Sequence, residues 1–260
     1  MEILSLSPGE FKSFLLILLR VSIVMFMFPV FGTSMLPKLA KAGLTLTISI
    51  ILFAVVRPDP ALFPDTLIGC LRLVLCEVMF GLVISLTVRL FFTAVQLGGQ
   101  LVGFQMGFAI ANILDPESGV QGSILSQAGY LIAVVIFLLL DGHHLFLRAL
   151  ADSFSVVRVG EFGFSDGLFH QMLKISGDIF VLAVKLAAPA IASLLLASAA
   201  FGIIAKVVPQ INILIVAFPL QIVVGLFFFG FSLEILLHFT KLYVGGFGHM
   251  LAILMRLMGA

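Results

Sequence analysis

Gln96 to Pro116 reads QLGGQLVGFQMGFAIANILDP, and this stretch decides the class of fold. Gly99, Gly103, Gly107 and Ala111 recur every four residues, so on a helix they form one smooth stripe. Small residues at that spacing let a second backbone approach closely, which is how helices associate where lipid supplies no hydrophobic drive. Gln96, Gln100, Gln105 and Asn112 add amides that hydrocarbon would leave unpaired, at a cost of several kcal/mol. The segment is therefore buried in protein or lines a water path. It ends at Asp115-Pro116, where the residue before proline is pushed out of helix.

The rest of the chain is more apolar still. Of its 260 residues 62% are hydrophobic and only 10% charged, with a mean hydropathy of +1.27. Soluble domains carry roughly 25% charge, so this is an integral membrane protein. A net charge of +1 gives no reason to expect nucleic acid or a polybasic anchor. Cys70 and Cys76 lie six apart in one apolar run, point in different directions on a helix, and read as small apolar fillers. The N-terminus holds Glu2 and Glu10 without a basic region or cleavage site, so Phe11 onward reads as an uncleaved helix. With 27 Phe, 2 Tyr and no Trp, the usual interfacial aromatic belts are nearly missing, and much of the surface is expected to meet protein.

Apolar segments fall at about 11–31, 40–56, 67–92, 93–112, 123–140, 143–157, 168–204, 209–232 and 233–258. A span needs about 20 residues. The run 67–112 is too long for one span without a break, and Pro189, Pro209 and Pro219 interrupt 168–232. The pattern predicts an all-α polytopic protein of six to eight long helices, some broken, packed as hairpins. No linker marks a boundary, so residues 1–260 are expected to form one domain. Lys38 and Lys41 faintly favour a cytoplasmic first loop, while the other loops mix signs.

Arg20, Arg72, Glu77, Arg89, Asp178, Lys185 and Glu234 sit in or beside apolar segments, where charges are paired or functional. Glu77 and Arg89 have no opposite charge four residues away, so their partners are expected on another helix or another subunit. Asp141-Gly142-His143-His144 invites a metal reading, but adjacent histidines diverge by about 100° on a helix, and no ligand follows at the next turn. A solvated turn is the expected state. No phosphate loop, H-E-x-x-H or G-x-S-x-G is present, which argues against an enzyme. Neither cofactor nor metal is expected. A second block combines Ala188-Pro189, Gly202, Lys206 and Pro209-Gln210-Ile211-Asn212 with Phe218-Pro219-Leu220. Lys206 before Pro209 marks a helix end, where a cation favours the last carbonyls.

These pieces, in order, resemble the FliR family of flagellar type III export-gate subunits. The matching residues are Arg20 with Pro29-Val30-Phe31-Gly32, Pro37-Lys38, Glu77 with Gly81, and Gly98 to Pro116. They continue with Asp141-Gly142-His143 and Asp152-Ser153-Phe154, and close with the second block. The pattern departs at Lys206, where the family leads one to expect arginine. The resemblance implies helical hairpins that assemble with FliP-like and FliQ-like subunits, and that work with FlhB-like and FlhA-like partners. It places the assembly in the bacterial inner membrane, within the flagellar basal body, where unfolded flagellar proteins pass through it. It further implies that about Met106 to Val120 projects into the channel as a plug. Phe104, Met106, Phe108, Ile110, Ile113, Asp115 and Pro116 are then the expected closing residues. Gly99, Gly103, Gly107 and Ala111 become a packing seam against a neighbouring subunit, and Arg20, Glu77 and Lys206 the buried charge-pairing residues. The alternative is a multi-pass secondary transporter, whose broken helices surround a solute site.

Overall fold

A computed structural model describes residues 7–29, 37–107, 124–208, 210 and 213–259, with side chains omitted at 213 and 214. Among these residues the fold is all-α, with seven helices and no strand. We number them α1 (Pro8–Met27), α2 (Lys38–Val55), α3 (Leu67–Gln105), α4 (Ile124–Leu139), α5 (Gly142–Val156), α6 (Asp166–Val207) and α7 (Ile213–Met258). A short 3-10 turn, Pro60–Leu62, lies between α2 and α3. Helices α2, α3, α6 and α7 are long and apolar enough to cross a membrane, and α4 with α5 makes a fifth span if that broken pair counts as one.

Four expected breaks are absent. Helix α3 runs for 39 residues straight through the 92/93 boundary. Helix α6 continues through Pro189 and α7 through Pro219 and on through the 232/233 boundary, so that 213–258 is one helix. A proline removes one N–H, but in apolar surroundings unwinding would expose several more backbone groups with nothing to bond them. The Ser193 hydroxyl donates to the Pro189 carbonyl at 2.8 Å, one local hydrogen bond beside the proline. Helix α6 ends at Val207 with Lys206 in its last turn, as the cation-before-proline pattern predicts.

The helices build two compact units, each from discontinuous stretches. One comprises Met1–Arg89, Asp141–Lys174 and Gly246–Ala260. Its first helix starts with Pro8 after a reciprocal cap, in which the Ser7 hydroxyl accepts from the Glu10 N–H and Glu10 accepts from the Ser7 N–H. The Ser7 N–H and the Ser7 hydroxyl both donate to Glu10 Oε2 and hold its carboxyl below its ordinary range, so the cap is complete above that range and is lost as pH falls through the lowered value. Leu16, Ile17, Arg20, Val21, Val24 and Met25 form the buried face of α1. Where α1 meets α3, a Cβ on Gly81 would lie 2.5 Å from Ile23 Cγ2, so glycine permits the approach. The rings of Phe28 and Phe146 lie 3.8 Å apart, tilted by 31°, and Leu16, Leu73 and Val159 form a second buried cluster.

The other unit comprises Leu90–Leu140 and Ile175–Gly245. Its core gathers Val102, Met106, Leu125, Ala187, Ala190 and Leu194, with Phe228 and Phe229 packed alongside. Phe92 meets Tyr130 and Phe137 edge-on, and Phe91 stacks on Tyr243 at 4.1 Å. Gly129 on α4 borders a small apolar pocket, where an added Cβ would meet Val95 Cγ1 at 3.4 Å and Phe229 Cζ at 3.6 Å. Those are ordinary contacts, and helix-interior glycine costs about 0.5–1 kcal/mol relative to alanine. Gly129→Ala is therefore expected to raise the thermal midpoint of the detergent-solubilised protein. A lowered midpoint would show that the pocket has no room for the methyl.

Candidate functional site

Two features of the sequence reading have described geometry: the buried charges and the run leading into the closing segment. Arg20 projects from the buried face of α1, and its side chain is fully buried. Its Nε donates to Glu77 Oε2 at 2.7 Å and its Nη2 to Glu77 Oε1 at 2.8 Å, a two-pronged pair between α1 and α3. Nη1 donates to the carbonyls of Ser153 at 3.1 Å and Val157 at 2.9 Å, and Nη2 reaches the Arg158 carbonyl at 3.3 Å. The first two belong to the C-terminal end of α5, where the dipole favours a cation; the Ser153 carbonyl also accepts the Val157 N–H at 2.9 Å, and the Arg158 carbonyl the Glu161 N–H at 3.1 Å.

Phe80 and Phe154 cover the guanidinium, with ring centroids 4.5 and 4.8 Å from its carbon. Glu77 Oε1 also accepts the Gly160 N–H at 2.9 Å, at a turn where Gly160 has φ +82°. A left-handed residue is easiest for glycine, so Gly160 lets the chain fold back onto the carboxylate. One guanidinium thus joins α1, α3, the end of α5 and the turn after it. With its donors matched and its faces covered, it has the chemistry of a clamp and not of a proton carrier. Lys206 stands apart: it is exposed on α6, so within this chain it does not join the buried pair.

The glycine stripe packs inside the chain at Gly99. A Cβ on Gly99 would fall 2.6 Å from Ser126 Cα and 2.8 Å from Ser126 N, so α3 and α4 touch backbone to backbone. This changes the expected seam against a neighbouring subunit: at Gly99 the partner is the chain's own α4. Gly103 is buried, Gly107 is half-buried with φ +89°, and Ala111 lies outside the described residues. Of the expected closing residues, Phe104 is exposed and Met106 fully buried. Phe108, Ile110, Ile113, Asp115 and Pro116 lie outside the described residues.

At the start of α5, Asp141 adopts φ +57°, and its carboxylate takes the His144 Nδ1 at 3.0 Å. Asp141, His143 and His144 bring one possible ligand atom each within 4.8 Å of one another. Asp141 and His144 are largely exposed on this turn, and their hydrogen bond closes it. Sequence reasoning named Arg20 and Glu77 but missed the carbonyls that complete the clamp and the glycine that turns onto it. Asp152-Ser153-Phe154 was the available signal, since Ser153 and Phe154 both touch the guanidinium.

The long apolar helices define a polytopic all-α membrane protein, in which a buried arginine clamp ties together helices of one compact unit. Residues 11–246 match the family described as bacterial export proteins, family 1. The chain is 34% identical to the flagellar biosynthetic protein FliR of Bacillus subtilis over 218 residues, 83% of each chain. It is 30% identical to FliR of Escherichia coli over 210 residues, 80% of this chain and 79% of that one. The chain belongs to this FliR family of bacterial export proteins.

Proposed function

We propose that this chain is the FliR-type subunit of a flagellar type III protein export gate in the bacterial inner membrane. The near full-length match to FliR proteins carries the reading. The transporter alternative gains no support from the relatives. The proposed partners are FliP-like and FliQ-like subunits within the gate and FlhB-like and FlhA-like subunits beside it, with unfolded proteins as the passing substrate and no catalytic role. Two properties of the chain support assembly with other subunits. Helix α6 has 42 residues, about 63 Å of helix against a hydrocarbon core of about 30 Å, so lipid cannot cover its length. Asp178 and Glu234 are exposed on apolar helices, and at a helix centre each would cost about 2.5–3.5 kcal/mol against lipid. Beside them, Gly177 and Gly230 have nothing within 4 Å of an added Cβ, leaving room for a neighbouring backbone.

Mass measurement of the tagged chain, purified in mild detergent, tests this reading. A large mixed-subunit complex is expected; a lone monomer or homodimer would overturn it. Within such a complex, Phe104 and the run from Phe108 to Pro116 are proposed to close the channel by apolar packing and dewetting, whereas Met106, expected among the closing residues, is fully buried within the chain. Replacing both Ile110 and Ile113 by glycine is expected to raise ion leakage through the closed gate. Unchanged leakage would remove these two residues from the closure.

A further inference from the structure

We infer that Met106 is a positioning residue for the gate: a knob seated in a hole at Gly225 that fixes where the chain leaves α3. Met106 is fully buried. A Cβ on Gly225 would lie 2.5 Å from its Cγ, 2.7 Å from its Sδ and 2.9 Å from its Cε. Three consecutive side-chain atoms therefore run across bare backbone on α7, in space that any other residue at 225 would occupy. Val102, Leu125, Ala187, Ala190 and Leu194 complete the same buried cluster around the seat.

The next residue repeats the arrangement with the roles exchanged. Gly107 turns the chain with φ +89°, and a Cβ there would lie 2.6 Å from Phe218 Cε1 and 2.9 Å from Phe218 Cδ1. Here the glycine is on the α3 side and the large side chain on α7. Phe218 and Gly225 are seven residues apart, two turns along one face of α7. One face of α7 thus makes both contacts. The Gly107 N–H bonds the Phe104 carbonyl at 3.1 Å, tightening the last turn before the chain departs. Two interlocking contacts, each needing a glycine on the opposite side, leave little freedom in register between the end of α3 and α7. Methionine suits the seat because its unbranched thioether lies flat over a glycine, where a β-branched side chain would not.

The inference rests on the proposed closing role of the residues that follow Met106. Its test is ion flux per assembled complex in vesicles, measured for the gate co-purified with its partner subunits. Gly225→Ala and Met106→Ala are each expected to raise closed-state flux several-fold at unchanged complex mass. The first displaces the knob, and the second leaves the hole empty. In the double variant the new methyl takes the place of the removed side-chain atoms, so flux is expected to return toward the parent level. If Gly225→Ala prevents assembly, recovery of assembly in the double variant carries the same meaning. A double variant that leaks as much as the two singles together overturns the seat. Tight single variants beside a leaking Ile110/Ile113 glycine variant also overturn it, while leaving the closing role intact. If no variant leaks, including the Ile110/Ile113 pair, the closing role itself falls and the positioning role with it.

Discussion

Arg20→Leu is expected to leave almost no folded protein. Removing one member of a buried ion pair costs about 3–5 kcal/mol, against a total stability of about 5–15 kcal/mol. Here the loss is larger than the pair alone, because the guanidinium also donates to the Val157 carbonyl and adds a second donor to those of Ser153 and Arg158, which accept backbone N–H groups as well. Arg20→Lys keeps the charge but offers an ammonium with no planar fork, so it is expected to recover only part of the stability. The informative variant is the double replacement Arg20→Met with Glu77→Leu. Apolar substitutes for a buried ion pair are often neutral or stabilising when the pair stands alone. In this chain the double replacement would take from the Val157 carbonyl and the Gly160 N–H the partners that Arg20 and Glu77 supply, while the Ser153 and Arg158 carbonyls keep backbone N–H donors, so it is expected to remain destabilised. Thermal unfolding in detergent decides the matter. A double variant as stable as the parent would show that the clamp is only an ion pair.

The second large effect is expected at Gly99. The nearest atoms to an added Cβ are all backbone: Ser126 Cα at 2.6 Å, Ser126 N at 2.8 Å and Leu125 C at 2.9 Å. A side chain can rotate away from a clash, but a helix backbone must translate. Overpacking typically costs about 1–3 kcal/mol and occasionally more, and leucine at this seam belongs at the upper end. Gly99→Leu is therefore expected to drive α3 and α4 apart and to lower complex yield sharply, with Gly99→Ala intermediate. The contrast with Gly129 sharpens the test, since both are buried helix glycines and only Gly99 faces backbone at such short range. Equal thermal midpoints for Gly99→Leu and the parent would refute the close approach.

Much of this architecture was legible in the residues, for identifiable reasons. The low charge and apolar runs announced membrane helices, and Lys206 ahead of Pro209 marked the end of α6. Arg20 and Glu77 stood out because charges in apolar runs need partners. Their mutual pairing was not legible, since α1 and α3 are separated by a stretch whose path no local signal encodes. The continuity of α6 through Pro189 and of α7 through Pro219 was missed because proline breaks helices in water, and the apolar setting reverses that preference. At Gly99 the close neighbour is the chain's own α4, not the neighbouring subunit expected for the stripe. Spacing reveals that a close partner exists and says nothing about which chain supplies it. Gly225 gave no signal by itself, because one glycine among 24 is informative only once Met106 is seen lying across it.

The discontinuity of the two units has a consequence for biosynthesis. Phe247, Leu251, Leu254, Met255 and Met258 are all buried and belong to the unit that begins with the N-terminal helices. That unit therefore cannot close its core while its early segments emerge from the ribosome; it waits for a stretch made after the other unit's residues. Contacts of such long sequence separation form slowly and leave apolar surface uncovered in the meantime. Nascent chains stalled before residue 246 are predicted to remain protease-sensitive in α1, and to gain protection there only once the last turns of α7 have been made.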